Sequence, residues 1–313
     1  MTPGAEPNDR ATPRVSVVIV SYRSRDTLGP CLDSLRACAA AIPLEIVVVD
    51  NASQDGTVES IRDGYPEVRV IANPENVGFT RGVNQGLARA AGDFLFVLNP
   101  DCTVTSGALD HLLRALEESP RLAAAAPLLL DAGHHAARSC GRFPNLWTLV
   151  CDHLGLAQGF PRSRLFGGYK YGERAIETLD RVDWASGAAL LIPRAAYREI
   201  GGLDEKIFMY MEEVDWCLRA SRAGLGVRFV PDARITHVGQ QSSRQVPGAT
   251  YLHNLRSRVY YFRKHHGPLA AAVAKLILIA SLALKWCAVA PKRKLSPEPA
   301  RVYAAGLEAV WAA

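Results

Sequence analysis

Three apolar runs without polar alternation constrain this chain more than any other feature: VSVVIV (Val15 to Val20), LEIVVVD (Leu44 to Asp50) and FLFVL (Phe94 to Leu98). A strand with one face in water alternates apolar and polar residues. A continuous, largely β-branched run belongs to a strand covered on both faces. Between the runs lie stretches at helical spacing: Leu28, Leu32 and Leu35, then TVESIRDGY, FTRGVNQGLARAAG and SGALDHLLRALEES. Further strands are expected at VRVIA (Val68 to Ala72), at LAAAAPLL from Leu122, at WASGAALLIP (Trp184 to Pro193) and at GVRFVP from Gly226. Further helices are expected from Arg194 to Ile200, stopped by Gly201-Gly202, and over EEVDWCLRASRAG. Strands alternating with helices imply βαβ units with right-handed crossovers, hence an α/β fold with a mainly parallel sheet flanked by helices. The stretch from Asp131 to Asp180, rich in Gly, Arg and aromatics, is expected to form loops and short helices over a site.

A chain of 313 residues with 49% hydrophobic content can build one large domain with an appendage, and 21% charged residues argues against global disorder. Its seven cysteines are scattered with no C-x-x-C pair, so they suggest buried thiols in a reducing compartment, not a zinc site or a disulfide framework. Residues 1–14 are polar and proline-bearing and lack the apolar centre of a signal peptide. They read as a disordered lead-in to a catalytic domain over 15–240 on the cytoplasmic side.

The net charge of +5 conceals an asymmetry, because no acidic residue occurs between Asp232 and Glu298 while eleven Lys and Arg do. Within that stretch Pro268 to Pro291 is apolar, and as a helix it would measure about 33 Å. Lys275 and Lys285 would be costly at the centre of a bilayer. With Ser281 they fall within an arc of about 120°, a one-sided polar stripe that favours a helix lying in the interface over one that spans or one docked as a core helix. Arg263, Lys264 and the PKRK cluster would face anionic headgroups. Residues 241–313 are thus expected to be a basic, apolar helical extension that associates peripherally with the inner face of the cell membrane. Positive charge set beside an apolar helix argues against a nucleic-acid partner.

In open α/β sheets ligands bind beyond the carboxyl ends of the strands. The first strand ends in Ser21-Tyr22 and the second in Asp50-Asn51, which offers an aromatic ring and a carboxylate to a base. Ser53 and Asp55, just beyond, serve equally well as caps of the next helix. After the third strand come Asn76, Gly78, Arg81 and Asn84. Gly78 permits close backbone approach, Arg81 can grip a diphosphate and Asn84 can bond a sugar hydroxyl. The fourth strand ends in Asn99-Pro100-Asp101, either an ordinary turn or one carboxylate for a divalent cation. Glu212, Glu213 and Asp215 open a helix, where they either stabilise its dipole or supply a base.

Taken in order, VSVVIVSYRS, VVVDNASQDGT, NVGFTRGVNQG, LNPD, WASGA, YMEEVDWCLR and the late His237 resemble the family 2 glycosyltransferases of the GT-A fold, most of all their rhamnosyltransferase-like branch. The resemblance covers about residues 15 to 265. It implies an inverting transfer, by single displacement, of a sugar from a nucleotide-diphospho-sugar to a glycan or polyprenyl-linked saccharide. The favoured donor is deoxythymidine diphosphate-L-rhamnose; the alternatives are UDP-galactose, UDP-glucose, UDP-galactofuranose, or a non-catalytic nucleotide-sugar binding protein. It places Tyr22 and Asp50 against the base, and Asp183 and Trp184 near the donor sugar or acceptor. Asn99 stands where a D-x-D motif has its first carboxylate. Asp101 with His237 would then hold Mg²⁺ or Mn²⁺, and a His ligand suits Mn²⁺ better. The catalytic base maps to Glu213, where the family commonly has Asp.

Overall fold

The computed structural model describes residues 13–160, 163, 165–171, 179–239, 247–289 and 297–313. The lead-in up to residue 12 and the PKRK cluster lie outside the described residues. The chain begins with β1 (Val15–Ser21), α1 (Arg25–Ala39), β2 (Leu44–Asp50), α2 (Thr57–Gly64), β3 (Arg69–Ala72), α3 (Phe79–Arg89) and β4 (Phe94–Leu98). These strands pair in parallel in the order β3-β2-β1-β4. β1 is buried at every residue, as a run covered on both faces must be. Val18 and Val20 enter one core while Val15, Val17 and Ile19 enter the other. The helix α3 lies tight on β1: a Cβ at Gly86 would stand 2.3 Å from Val18 Cγ1, so a side chain there would push the helix off the sheet.

Beyond β4 the sheet becomes mixed. The elements are β5 (Cys102–Val104), α4 (Ala108–Glu117), β6 (Leu122–Leu130), β7 (Cys140–Gly141), α5 (Leu146–His153), α6 (Leu156–Gly159), β8 (Arg181–Val182), β9 (Trp184–Ala185), β10 (Ala189–Pro193), α7 (Arg194–Ile200), α8 (Glu212–Arg222) and β11 (Gly226–His237). β10 runs antiparallel between β4 and β6, and β11 pairs parallel with β6 and antiparallel with β5 and β8. The expected single strand over Trp184 to Pro193 is divided. Trp184-Ala185 pairs with β7 in a small second sheet, and a turn closed by Ala188 N–H on Ser186 Oγ (3.2 Å) precedes β10. GVRFVP and ARITHVG, conversely, form one strand with an irregularity between Val230 and Arg234.

The last elements are α9 (Pro247–Val289), kinked at Gly267 where φ is 87°, and α10 (Pro297–Ala312). The first half of α9 puts Leu255, Val259, Tyr261 and Phe262 into the same core as β1, and the second half adds Ala271, Ala274, Leu278 and Leu282. The polar stripe faces the protein. Ser281 Oγ donates to the His153 carbonyl at 2.8 Å, Lys275 Nζ donates to the Trp311 carbonyl at 3.2 Å, and Lys285 is half-buried. Leu269, Leu276 and Leu284 on α9 are exposed instead, as is Trp311 on α10. Gly248–Ala288 is long and apolar enough to cross a membrane, with mean hydropathy 2.0 in its most apolar window, 28% of which is buried.

Candidate active site

The ends of β1 and β2 sit side by side because their register pairs Ser21 with Asp50. Both residues are buried, and Ser21 Oγ and Asp50 Oδ1 lack a hydrogen-bond partner among the described residues. Asp50 Oδ2 accepts from Ser53 N–H at 2.8 Å. Buried polar atoms left open in this way call for a ligand or water. Tyr22 follows, with the Arg23 guanidinium 5.3 Å from its ring centroid. Arg23 (φ 51°) and Ala52 (φ 59°) hold the two strand ends in left-handed backbone, a conformation that non-glycine residues keep mainly at functional sites. Asp55 is spent on Thr57 and on the Arg25 amide, the capping role.

At the end of β4 the turn Asn99-Pro100-Asp101 leads straight into β5. β5 pairs with β11 so that Cys102 faces His237, and Val238 N–H donates to the Asp101 carbonyl at 3.1 Å. This register brings His237 Nε2 to 3.1 Å from Asp101 Oδ1 and 3.3 Å from Asn99 Nδ2. One ligand atom each from Asp101, Cys102 and His237 lie within 4.8 Å of one another. Cys102 is buried, burial pushes its thiol up, and its sulfur donates to the Ala188 carbonyl at 3.4 Å. The remaining oxygen and imidazole pair fits a divalent cation that accepts nitrogen, as Mn²⁺ does.

The acids lie across one tripeptide. Asn99 N–H donates to the Ala188 carbonyl at 2.8 Å, while a Cβ on Gly187 would stand 3.7 Å from the Glu213 Cβ. The segment Ser186-Gly187-Ala188 therefore touches both the Asp101 turn and Glu213. Tyr210 and Met211, with φ of 66° and 70°, turn the chain into α8. Glu212 is buried, and one oxygen of each of Glu212 and Glu213 lacks a hydrogen-bond partner among the described residues. Burial pushes both carboxyls up, and the Glu213 charge pushes Glu212 further. A cavity of about 20 Å³, room for one water, lies against them, lined by Phe79, Val83, Leu190 and Trp216. A carboxylate whose proton affinity is raised from its ordinary value toward the working pH suits a general base.

Asp215 belongs elsewhere. It is fully buried, with Arg219 Nε at 3.0 Å, Lys264 Nζ at 2.5 Å and His265 Nε2 at 2.7 Å. Those partners hold its carboxyl down at about 2 against the opposing effect of burial, so it orients α8 and has little affinity for a proton.

Several other expected ligand-binding groups have structural partners. Asn84 accepts from Leu203 N–H at 2.9 Å and donates to the Leu203 carbonyl at 2.9 Å and to Glu205 at 3.2 Å, so its amide pins the loop before α8. Asn76 Oδ1 accepts from Gly78 N–H at 3.0 Å. Gly78 makes its close approach to protein: a Cβ there would meet the Phe208 ring at 2.7 Å. Trp184 is buried and donates to the Arg142 carbonyl at 2.8 Å, which leaves no open ring face for a sugar. Asp183 is exposed and accepts from Phe143 N–H at 2.9 Å. Arg81 stays largely exposed, 3.6 Å from Glu205, and so remains available to an anion. Sequence reasoning missed Lys170 and Arg258, whose charges reach Glu213; Arg258 stood out only as one charge in the acid-free stretch.

The model of glycosyl transferase family 2 matches residues 16–132. Over 281 residues the chain is 32% identical to the N-acetylglucosaminyl-diphospho-decaprenol L-rhamnosyltransferase of Mycobacterium tuberculosis (strain ATCC 25618 / H37Rv), covering 86% of this chain and 90% of that protein. It is 25% identical to rhamnosyltransferase WbbL of Escherichia coli (strain K12), over 80% of this chain and 93% of the relative. Among solved structures, mannosyltransferase PcManGT from Pyrobaculum calidifontis, in complex with GDP-Man and Mn²⁺, superposes with a TM-score of 0.56 at 17% identity, covering 97% of this chain and 87% of that one. The mixed sheet with its parallel β3-β2-β1-β4 half is the GT-A arrangement. The chain belongs to glycosyl transferase family 2, in its rhamnosyltransferase-like branch, and is a glycosyltransferase.

Proposed function

We propose that the protein transfers L-rhamnose from deoxythymidine diphosphate-L-rhamnose to a lipid-linked saccharide, with inversion by single displacement. The observation that carries the reading is the tripeptide 186–188, which brings a cation-type pair, Asp101 with His237, and an acid, Glu213, to its two sides. Tyr22 and Asp50 receive the nucleotide base, using the open oxygens of Ser21 and Asp50. Asp101 and His237 hold the divalent cation; when bound, it supplies positive charge to the departing diphosphate. Arg81 adds to that charge from α3. Glu213 takes the proton of the acceptor hydroxyl as it attacks the anomeric carbon on the opposite face. The relative that acts on a decaprenyl-diphosphate-linked sugar supports the choice of donor and acceptor. The outward apolar face of α9, with the exposed Arg263 near its kink, suits peripheral docking on an anionic cytoplasmic membrane face, whereas Lys264 is held by Asp204 and Asp215.

The test is a panel of nucleotide sugars with Mn²⁺ and an N-acetylglucosaminyl-diphospho-lipid. Transfer from deoxythymidine diphosphate-rhamnose, and a Mn²⁺-induced rise in Tm that disappears in Asp101→Ala and His237→Ala, is the expected result. Transfer from a UDP-hexose alone would replace the donor, and nucleotide-sugar binding without turnover would sink the enzymatic reading.

A further inference from the structure

Arg258 lies on the inner face of α9 and is 9% exposed. Its Nε donates to Asn254 Oδ1 at 2.8 Å and one terminal nitrogen donates to the Tyr169 hydroxyl at 3.1 Å, with the guanidinium 5.2 Å from the Tyr169 ring. These partners are neutral. Among the described residues, neither Arg258 nor its neighbour Lys170 has a carboxylate within the 4.0 Å of an ion pair. Lys170 is exposed, with Nζ 6.0 Å from the Trp184 ring, and Tyr169 packs on the same indole at 5.5 Å. Arg138 donates to the carbonyls of Gly167, Lys170 and Tyr171, which fixes the loop that presents Lys170. Ser281 bonded to the His153 carbonyl at 2.8 Å joins α9 to the end of α5 at the same place.

A buried guanidinium is expensive unless a counter-charge meets it. Among the described residues the acids that face this cluster do not ion-pair with either cation. The charges of Lys170 and Arg258 reach Glu213 and Asp152, and Asp152 keeps one buried oxygen without a partner among the described residues. Arg258 and Lys285 both act on His153, whose pKa is held down at about 3, chiefly by burial, so it adds no charge of its own at neutral pH. The result is a pair of cations, not ion-paired among the described residues, whose charges reach the proposed base. It is distinct from the Asp101 and His237 pair that would serve the donor, and it borders the helix whose outer face is apolar.

We propose that Lys170 and Arg258 form the subsite for the diphosphate of the lipid-linked acceptor. This rests on the reading of Glu213 as the acceptor-side base. A diphosphate carries the two adjacent anions that a lysine and an arginine can share, the arginine through its planar fork. Gripping it there would hold the first sugar's hydroxyl near Glu213 while the lipid runs toward the apolar face of α9.

The test measures binding, which makes it independent of turnover. Two probes are used with the full chain: undecyl diphosphate-linked N-acetylglucosamine, and undecyl N-acetylglucosaminide, which has the same sugar and tail without phosphates. The diphosphate probe should bind at least about tenfold more tightly to the wild type, a 1.4 kcal/mol difference. Lys170→Gln and Arg258→Gln should each remove most of that preference while leaving the neutral probe and deoxythymidine diphosphate unaffected. Lys170 is exposed, so its variant keeps the test valid if Arg258→Gln unfolds. Equal affinity of the two probes for the wild type, or a preference that survives Lys170→Gln, would overturn the assignment. Weakened deoxythymidine diphosphate binding would overturn it too, by giving the cluster to the donor. Preferred binding of the diphosphate probe with no transfer from any donor would instead count against the glycosyl-transfer reading while leaving this subsite standing.

Discussion

Replacing Asp215 by Asn separates the scaffold of the site from its chemistry. The substitution keeps the shape and removes a fully buried charge that meets Arg219, Lys264 and His265 at 3.0, 2.5 and 2.7 Å. Breaking such a buried pair typically costs about 3–5 kcal/mol, because the cations stay behind. A second route gives a lower bound. The Asp215 carboxyl falls from 3.8 to about 2 on folding, and at 1.36 kcal/mol per pKa unit that is worth about 2.4 kcal/mol at neutral pH. Asp215→Asn should therefore lose about 2–4 kcal/mol, read as the shift in urea unfolding at pH 7. The sign with pH follows from the lowered pKa. The contribution is complete above the unfolded value near 4, falls as pH drops toward 2, and retains about half its size at pH 3. The gap between wild type and variant should narrow accordingly between pH 5 and pH 3. A variant within about 0.5 kcal/mol of wild type at pH 7, or a gap that does not narrow in acid, would refute the claim that this carboxylate is held ionised by its three partners.

The neighbouring acids should behave in the opposite way. Burial raises the Glu212 pKa, so its ionisation opposes folding as pH rises above about 4.5; Glu212→Gln should raise Tm, and the gain should grow toward alkaline pH. Glu213→Gln should leave the fold intact and lower kcat by about 10²–10⁴, the usual contribution of a general base; a loss below tenfold in a transfer assay would reassign the base. On the outer face of α9, Leu276→Glu with Leu284→Glu removes exposed apolar surface without touching the core. The double variant should stop floating with anionic vesicles while its Tm is unchanged, and continued flotation would rule out docking through that face.

What local sequence determined was which segments are doubly covered strands and where their ends fall. Val15 to Val20, Leu44 to Asp50 and Phe94 to Leu98 became β1, β2 and β4 almost residue for residue, because burial on both faces writes itself into an unbroken apolar run. From those ends Ser21, Asp50, Asn99 and Asp101 could be singled out, and an acid pair opening a helix could be seen in Glu212 and Glu213. The tertiary structure decided whatever depended on a partner far along the chain. β10 is antiparallel because its pairing with β4 is a long-range choice that its own composition does not encode. Asn84 and Trp184 present the hydrogen-bonding groups and ring that a sugar site needs, yet Leu203 and Arg142 already occupy them. The stripe of Lys275, Ser281 and Lys285 announced a two-faced helix, but only its contacts with His153 and Trp311 showed that the polar side faces the protein and the apolar side faces out. His237 reaches Asp101 through strand register between segments more than 130 residues apart, and it is that register, not either residue alone, that sets an imidazole beside the carboxylate of a strand-ending turn. Periodicity records which face of an element is covered; what covers it is set by long-range packing, and there the functional assignments were made.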